Sequence, residues 1–300
     1  ILNDNEMSIS PNVGAISKYF TRLISNPTYN TLKTEAWEIT KKLPLARGTI
    51  QAFLSRLDKS IKNIIVPGML FEEMGFRYFG PIDGHDLDEL LKTLDTIKDI
   101  DRPVLLHVIT KKGKGMSVAE DDPVKYHGVK ANGSIKKDIN KIVVPSFQDV
   151  FGHLSCEIAE NRKDVVCITA AMREGTGLVP YEKKFADRYY DVGIAEGHAV
   201  TFSAGLATQG IRPIVAVYSS FLQRAFDHIV HDVSIQDLPV IFCMDRAGIA
   251  GEDGPTHHGS LDIAYFRCIQ GMVLAAPKNG NEFRHLLYTA LNHSGPFGIR

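Results

Sequence analysis

The sequence has little cysteine, a single tryptophan and almost no net charge. Its 34 Lys and Arg against 35 Asp and Glu give a formal charge of −1, so the chain lacks the basic footprint of a nucleic-acid-binding protein. No apolar run reaches the roughly 18 residues that a membrane-spanning helix needs. The cysteines are far apart, without a CxxC pair, which argues against a disulfide framework and favours reduced, mostly buried thiols. They are Cys156, Cys167, Cys243 and Cys268.

What is present is the composition of a soluble globular protein. Of the 300 residues, 44% are hydrophobic and 23% are charged, and this length is enough for two ordinary domains or one large one. The chain begins with Ile1 rather than Met and closes on Arg300 without a polar tail. We therefore expect a partial sequence, in which any upstream targeting signal is not visible.

The first half contains a strand–helix–strand pattern. Gly75 to Pro81 and Val104 to Thr110 have the composition of strands. Between them, Asp86 with Glu89 resembles a capping box and precedes apolar residues on one helical face. Those residues are Leu87, Leu90, Leu91, Leu94 and Ile97. Short connections then predict a βαβ unit and a parallel sheet. Residues 10–65 fit no element clearly, and we expect them to form a functional cover or a mobile insert.

The second half repeats the α/β alternation more plainly. Predicted strands lie at 165–169, 189–192, 214–218, 239–244 and 272–276. Predicted helices run from Glu196 to before Gly210, across Phe221, Ala225, Ile229 and Val233, and over 281–291. The continuously apolar strands are typical of a sheet covered on both faces. The prediction is α/β, with two doubly wound parallel-sheet domains, 1–145 and 146–300, divided at the polar stretch before Pro145.

Polar loops follow the predicted strands, at the edge where such sheets bind ligands. These loops are Asn3–Met7, Lys111–Gly115, Asp191–His198, Tyr218–Arg224 and Asp245–Gly259. Together with the runs Ala171–Gly175 and Gly80–Asp86, they resemble the 1-deoxy-D-xylulose-5-phosphate synthase family, thiamine-diphosphate enzymes related to transketolase. The resemblance extends over essentially the whole chain.

This resemblance implies two domains of the thiamine-diphosphate-binding fold. Residues 1–145 correspond to the second part of the diphosphate-binding domain, which is truncated at its N-terminus. Residues 146–300 correspond to the pyrimidine-binding domain, truncated at or near its C-terminus, and a third, carboxyl-terminal domain is expected to be absent.

The resemblance further implies a metal-binding transferase with thiamine diphosphate and Mg²⁺ as cofactors. Its reaction condenses pyruvate with D-glyceraldehyde 3-phosphate to 1-deoxy-D-xylulose 5-phosphate and CO₂, the first step of non-mevalonate isoprene biosynthesis, with a link to thiamine biosynthesis. We expect a cytoplasmic homodimer when the protein is full length, or a plastid protein if the source is a plant or alga. Two alternatives stay open: another transketolase-like thiamine enzyme, and an inactive cofactor-binding fragment.

Three residues of the second half have both an ordinary and a functional interpretation. Glu196, at a strand-to-helix junction, has the position of a helix-start carboxylate; the resemblance implies that it is catalytic and binds the cofactor's aminopyrimidine, promoting the imino tautomer. Gly197 follows it where Gln is common in the family. Periodicity places Phe221 in the core, whereas the resemblance implies that it stacks on the aminopyrimidine; both can hold. Tyr218 is expected near the substrate, with its hydroxyl available.

The first half supplies two expected pairs. Asn-rich turns are commonplace, but the resemblance implies that the side-chain oxygen of Asn5 and the backbone carbonyl of Met7 bind Mg²⁺ together with the diphosphate. The Gly-Asp-Gly run with the main metal ligand is expected upstream of Ile1. Basic residues in a glycine-flanked loop, such as Lys112 and His127, ordinarily belong to a solvated turn. The resemblance implies that Lys112 binds the cofactor and that His127 is catalytic, as a proton shuttle or hydrogen-bond donor.

Four residues complete the expected site. Arginine on a helix is ordinarily a surface residue, and Asp-Gly-Pro is ordinarily a turn. The resemblance implies that Arg224 and Arg246 bind substrate, with Arg246 on the acceptor phosphate. It implies that Asp253 and His257 are catalytic and lie near the cofactor. The pair His257-His258 lacks a third ligand at fitting spacing, so we do not expect it to hold a metal.

Overall fold

The computed structural model describes residues 1–7, 69–128 and 144–300. The chain divides into two units, to which the described residues 1–7 and 69–128, and then 144–300, belong. Each is a parallel α/β unit, as predicted. The expected cover at 10–65 lies outside the described residues. The domain boundary at 145 stays a prediction.

The described part of the first unit contains a three-stranded parallel sheet in the order β1-β3-β2. Its strands are β1 (Leu2–Asp4), β2 (Arg77–Asp83) and β3 (Val104–Ile109). Its helices are α1 (Met69–Glu73), α2 (Leu87–Ile97) and α3 (Ser117–Asp121). The predicted βαβ unit is therefore confirmed, with β2 beginning and ending two residues later than expected. Asp86 caps α2 by accepting a hydrogen bond from the backbone nitrogen of Glu89 at 3.0 Å.

The second unit is built on a six-stranded parallel sheet in the order β5-β4-β6-β7-β9-β8. Its strands are β4 (Val165–Thr169), β5 (Tyr189–Asp191), β6 (Arg212–Tyr218), β7 (Ile241–Asp245), β8 (Val273–Ala275) and β9 (Phe297–Ile299). Its helices are α4 (Phe147–Asn161), α5 (Val179–Lys184), α6 (Glu196–Ala207), α7 (Ser219–Leu222), α8 (Phe226–His228), α9 (Asp262–Arg267) and α10 (Gly280–Asn292). Short 3₁₀ turns occur at Ala186–Arg188, Gly251–Asp253 and Pro255–His257.

Both faces of this sheet are covered, which explains its continuously apolar strands. Alternate residues of a strand point to opposite faces. In β6, Ile214 and Ala216 belong to the core on one face, while Val215 and Val217 belong to the core on the other. The sheet is therefore buried on both sides, as βαβ connections require.

One predicted helix has a different form. The segment after β6 consists of α7, a 3₁₀ turn (Gln223–Ala225), α8 and a π-helical stretch (Ile229–Ser234). Ala225, Ile229 and Val233 are buried as their spacing predicts, whereas Phe221 is only half-buried. A four-residue step exceeds the 3.6 residues of an α-helical turn, and the wider π-helical turn accommodates it.

The cysteines are less buried than predicted. All four are free, and Cys167 and Cys243 are buried on β4 and β7. Cys156 is half-buried and Cys268 is exposed. Among the described residues, no helix has the length and apolar character required to cross a membrane.

Helix α4 packs against the loop at Gly177, and glycines rather than large side chains form this contact. Ser146 and Asp149 form a capping box at its start. A methyl group added to Gly152 would overlap the carbonyl oxygen of Gly177, and one added to Gly177 would overlap the carbonyl oxygen of Gln148. Since no side chain fits between these backbones, their close approach requires glycine.

We predict that Gly152→Ala destabilises the protein by about 1–3 kcal/mol, because overpacking outweighs the helix propensity that Ala gains. Gly205→Ala is the matched control, since Gly205 lies in α6 with open space around its Cα. That change is expected to stabilise by about 0.5–1 kcal/mol. Chemical denaturation of both variants measures the difference, and stabilisation by both changes would contradict the packing argument.

Candidate functional site

The polar residues of the second unit meet where the strand order reverses. β4 lies between β5 and β6, so the chain first adds a strand on one side of β4 and then continues on the other. Such a switch point is where doubly wound sheets bind ligands. Two non-glycine residues with left-handed backbone lie at this edge, Ala171 (φ 59°) after β4 and Arg246 (φ 53°) after β7. Strained conformations of this kind cluster at functional sites.

Glu196 is the buried acid of this edge. It is the first residue of α6 and is only 2% exposed. Its Oε1 accepts a hydrogen bond from Nη1 of Arg224 at 2.8 Å, and the Arg224 side chain is 57% exposed. Because a buried carboxylate is costly without a partner, this ion pair explains how Glu196 is accommodated at the start of the helix. The predicted substrate-binding residue Arg224 therefore contacts the predicted catalytic acid.

Aromatic rings connect this pair to the rest of the group. Tyr218 and Phe221 stack with centroids 5.6 Å apart and an interplanar angle of 17°. His257 meets the ring of Phe221 edge-on at 5.2 Å. The guanidinium carbon of Arg224 lies 5.0 Å from the Phe221 centroid. Phe221 therefore contacts three of the other predicted residues and packs partly against the core, so both interpretations of it hold in the structure.

Arg246 contacts the ring of Tyr218, which also stacks on Phe221. Its guanidinium carbon is 4.3 Å from the Tyr218 centroid, a cation–π contact. Its Nη1 donates to the carbonyl oxygen of Gly175 at 2.7 Å, and its Nε is 3.3 Å from Oδ2 of Asp253. Burial raises the pKa of Tyr218, so its hydroxyl stays protonated at neutral pH. Glu196, Arg224, Phe221, Tyr218, Arg246, Asp253 and His257 thus form one connected group.

A cavity of about 360 Å³ opens beside this group, at the carboxyl ends of β6, β7 and β9. Arg246 lines it, together with Gln148, Thr176, Asp245 and Arg300. Burial raises the pKa of Asp245, which accepts hydrogen bonds from Gln148 and from the backbone of Arg246. The cavity therefore has both polar and apolar walls and lies next to the residue expected to bind phosphate, and Glu196 and Phe221 are not part of its lining.

The first unit brings Asn5 and Met7 into one turn after β1. Oδ1 of Asn5 accepts a hydrogen bond from the backbone nitrogen of Met7 at 3.1 Å. Oδ1 of Asp4 likewise accepts a hydrogen bond from the backbone nitrogen of Glu6, whose backbone is left-handed (φ 57°). The turn lines a cavity of about 390 Å³, whose other walls include Lys112 and Glu120. Amide, carbonyl and carboxylate oxygens are the donors that Mg²⁺ prefers, so the donor set fits this ion. The described residues contain no cluster of three or more His, Cys, Asp or Glu that could hold a metal by itself.

Lys112 and His127 are brought together as well. Nζ of Lys112 is 3.0 Å from Nδ1 of His127. Burial lowers the pKa of Lys112 from its usual range. His85, which sequence reasoning did not single out, accepts a hydrogen bond from the backbone nitrogen of Lys111 at 2.8 Å and so holds the start of this loop. Asn5, Met7 and Lys112 all line the same cavity of the first unit.

Several residues that shape the site were missed from the sequence. Gly175 lies so close to the Tyr218 hydroxyl that a methyl group there would overlap it. Oδ1 of Asp191 accepts hydrogen bonds from the backbone nitrogens of Ala171 and Gly193, at 2.8 and 2.9 Å, and so joins the loops after β4 and β5. Their signal in the sequence was that Gly175 lies in the run Ala171–Gly175, after the predicted strand 165–169, and that Asp191 lies near the end of the predicted strand 189–192.

Two family models match the chain. The model of the transketolase pyrimidine-binding domain matches residues 144–300. The model described as 1-deoxy-D-xylulose-5-phosphate synthase matches residues 1–110. The matches divide the chain between the same two units as the structure.

The chain is also similar to curated relatives along its whole length. It is 50% identical to the 1-deoxy-D-xylulose-5-phosphate synthase of Thermomicrobium roseum and 52% identical to that of Aquifex aeolicus, over 100% of this chain and 47% and 48% of theirs. The chain thus spans about half the length of the curated relatives it matches. Among solved structures, the transketolase of Campylobacter jejuni is 19% identical with a TM-score of 0.48, over 77% of this chain and 47% of that chain.

We predict that Gly197 and His228 are energetically coupled. A Cβ on Gly197 would lie 2.7 Å from Cε1 of His228, whose buried Nδ1 has no hydrogen-bond partner among the described residues. Gly197→Ala is therefore expected to destabilise by about 1–3 kcal/mol through overpacking. His228→Ala in the same chain should recover most of this loss, because it removes the ring. A double-mutant cycle by thermal denaturation measures the coupling, and simple additivity would refute it.

Proposed function

The chain belongs to the transketolase-like family of thiamine-diphosphate-binding proteins and matches 1-deoxy-D-xylulose-5-phosphate synthases along its whole length; from this we propose that the full-length protein is the corresponding transferase. It condenses pyruvate with D-glyceraldehyde 3-phosphate and releases CO₂, forming 1-deoxy-D-xylulose 5-phosphate. The observation that carries the proposal is the identity of about half of all residues over the whole chain.

Glu196 is the proposed catalytic acid. When bound, thiamine diphosphate supplies the nucleophilic carbon and the electron sink for decarboxylation. The buried carboxyl of Glu196 would hydrogen-bond a nitrogen of its aminopyrimidine ring, with water excluded from the contact. Arg224 holds Oε1 of this carboxyl, which orients the side chain and leaves Oε2 for the ring nitrogen.

Phe221 would stack on the aminopyrimidine. The Arg224 guanidinium already covers part of this ring, at 5.0 Å from its centroid. Because that side chain is more than half exposed, its remaining donors can contact a substrate while Nη1 stays on Glu196. This agrees with a substrate-binding role for Arg224.

Arg246 would bind the acceptor phosphate beside Tyr218. A guanidinium offers several directed donors to a phosphate, and Arg246 is held in place by Tyr218, the Gly175 carbonyl and Asp253. An arriving phosphate would compete with Asp253, whose side chain is 43% exposed and can give way. Asp253 and His257 would then exchange protons or hydrogen bonds with the reacting groups.

The first unit would hold the diphosphate. Asn5 and Met7 would supply two oxygen ligands to Mg²⁺, the diphosphate itself would supply others, and Lys112 would neutralise part of its charge. The contact between Lys112 and His127 allows a proton to be exchanged between them, as a shuttling role for His127 needs.

The wider setting is proposed on the basis of the same family membership. We propose that the full-length protein is a homodimer that acts in the cytoplasm, or in the plastid if its source is a plant or alga. Its product would enter non-mevalonate isoprene biosynthesis and thiamine biosynthesis. The two proposed domains, 1–145 and 146–300, would contribute the diphosphate-binding and pyrimidine-binding residues respectively.

The decisive test is Glu196→Ala in the full-length protein. We expect product formation from pyruvate and D-glyceraldehyde 3-phosphate to fall by about 100-fold or more. Circular dichroism and thermal denaturation would show that the fold survives. Glu157→Gln is the matched control, since Glu157 is an exposed acid on α4 that pairs with Arg284. Near-normal turnover of Glu196→Ala would remove the assignment.

Another transketolase-like thiamine enzyme is the nearer alternative. Transfer of a two-carbon ketol group would identify a transketolase, whereas CO₂ release coupled to consumption of the aldehyde phosphate identifies the proposed reaction. The full-length protein should show the second activity and little of the first.

The 300-residue chain alone is expected to be nearly inactive, because it spans only half of the relatives it matches. Purified chain is assayed for product with both substrates, thiamine diphosphate and Mg²⁺. Product formation at the rate of the full-length protein would contradict this expectation and the fragment alternative with it.

A further inference from the structure

A fully buried histidine lies in the central strand of the described sheet of the first unit. His107 is 0% exposed and stands between Leu106 and Val108 in the otherwise apolar β3. A buried polar ring in such a strand is unfavourable unless both of its nitrogens have partners. The proposed reaction gives this ring no role.

Its partners come from the two neighbouring strands. Nδ1 lies 2.7 Å from the hydroxyl of Tyr78 on β2, and Nε2 lies 3.4 Å from Oδ2 of Asp4 on β1. The register explains the second contact. Leu2 is paired with His107, and Asp4, two residues further on, lies on the same face of the strand as Leu2. The ring therefore links all three described strands at one level of the sheet.

The hydrogen bond to Tyr78 and the contact with Asp4 together assign the tautomer of the ring. Burial lowers the pKa of His107, partly opposed by Asp4, so the ring is neutral and has one donor and one acceptor nitrogen. The nitrogen that faces a carboxylate must carry the hydrogen, which assigns it to Nε2. Nδ1 is then the acceptor, and the Tyr78 hydroxyl donates to it.

Asp4 connects the ring of His107 to the turn after β1, which is the proposed metal-binding turn. Its second oxygen, Oδ1, accepts a hydrogen bond from the backbone nitrogen of Glu6 at 3.1 Å, where the backbone is left-handed. Asn5 and Met7 flank Glu6, and the Asn5 side chain is bound to the Met7 nitrogen. One carboxylate therefore has one oxygen on the buried ring and the other on the turn.

We propose that His107 is a positioning residue: by holding Oδ2 of Asp4, it fixes the turn that presents Asn5 and Met7 and thereby sets the affinity of this loop for Mg²⁺. This rests on the proposed function, in which that turn binds the diphosphate-bound ion. Tyr78 supports the same role by fixing the tautomer. Residues one layer away from a metal commonly act in this way, by orienting the ligands.

The test measures Mg²⁺ affinity in the full-length protein at saturating thiamine diphosphate. Mg²⁺ is titrated calorimetrically into wild type, His107→Leu, His107→Gln and Leu106→Ala. We expect His107→Leu to weaken the Mg²⁺ Kd by about 10–100-fold. His107→Gln should recover most of the affinity, because its amide N–H can reach Asp4.

Leu106→Ala is the matched control, since it truncates a neighbouring buried side chain of the same strand. It should lower the thermal stability but leave the Mg²⁺ Kd unchanged. If His107→Leu does not fold, Tyr78→Phe decides, because it removes only the hydroxyl and should weaken Mg²⁺ binding several-fold.

The outcomes separate this proposal from the proposed function. An unchanged Mg²⁺ Kd in His107→Leu, or in Tyr78→Phe if the former does not fold, overturns the positioning role while the metal site stands. Equal weakening by Leu106→Ala also overturns it, since the effect would then be one of general stability. If wild type shows no Mg²⁺-dependent binding of thiamine diphosphate, the metal site itself fails, and that result is visible before any variant is compared.

Discussion

A carboxyl group buried at the start of a helix needs a cationic partner, and Arg224 supplies one to Glu196. The rest of the second unit's site is arranged around this requirement. Arg224 reaches Glu196 by lying along the ring of Phe221. The ring of Phe221 stacks on Tyr218, and Tyr218 makes a cation–π contact with Arg246. The acid of the proposed reaction and the proposed phosphate ligand are therefore joined through two aromatic rings, so a change at one end has a physical route to the other.

Backbone spacing sets the geometry of the same edge. The Tyr218 hydroxyl fits only because Gly175 has no side chain, and the carbonyl oxygen of Gly175 then accepts the hydrogen bond from Arg246. Two residues further along the chain, Gly177 belongs to a loop that contacts α4 at Gly152, where the two backbones lie directly against each other. These glycines contribute no functional group, yet they determine where the aromatic and cationic groups can lie.

Much of the fold and part of the site could be predicted from the sequence. The alternation of apolar strands with helices correctly indicated parallel α/β sheets, and the loops after the strands contain the residues that meet in the second unit. Helix α4 was missed although it was readable, because Val150, Phe151, Leu154 and Ile158 recur at helical spacing and Ser146 with Asp149 forms a capping box. Another feature was out of reach: the helical segment after β6 changes pitch where its apolar residues recur every four positions. The exposed Cys268 differs from expectation because burial of a small side chain depends on neighbours that composition does not identify.

By itself, the sequence determined strands β2 to β8, the helices α2, α6 and α10, and the loops in which polar groups collect. Periodicity, caps and turns act over a few residues, so they are readable in the chain itself. Only the tertiary structure decided which of these groups touch. Arg224 and Glu196 are 28 residues apart, and Arg246 and Gly175 are 71 apart. Such contacts, and the link from Tyr78 through His107 to Asp4, depend on strand order and register, which bring together residues that no local pattern relates.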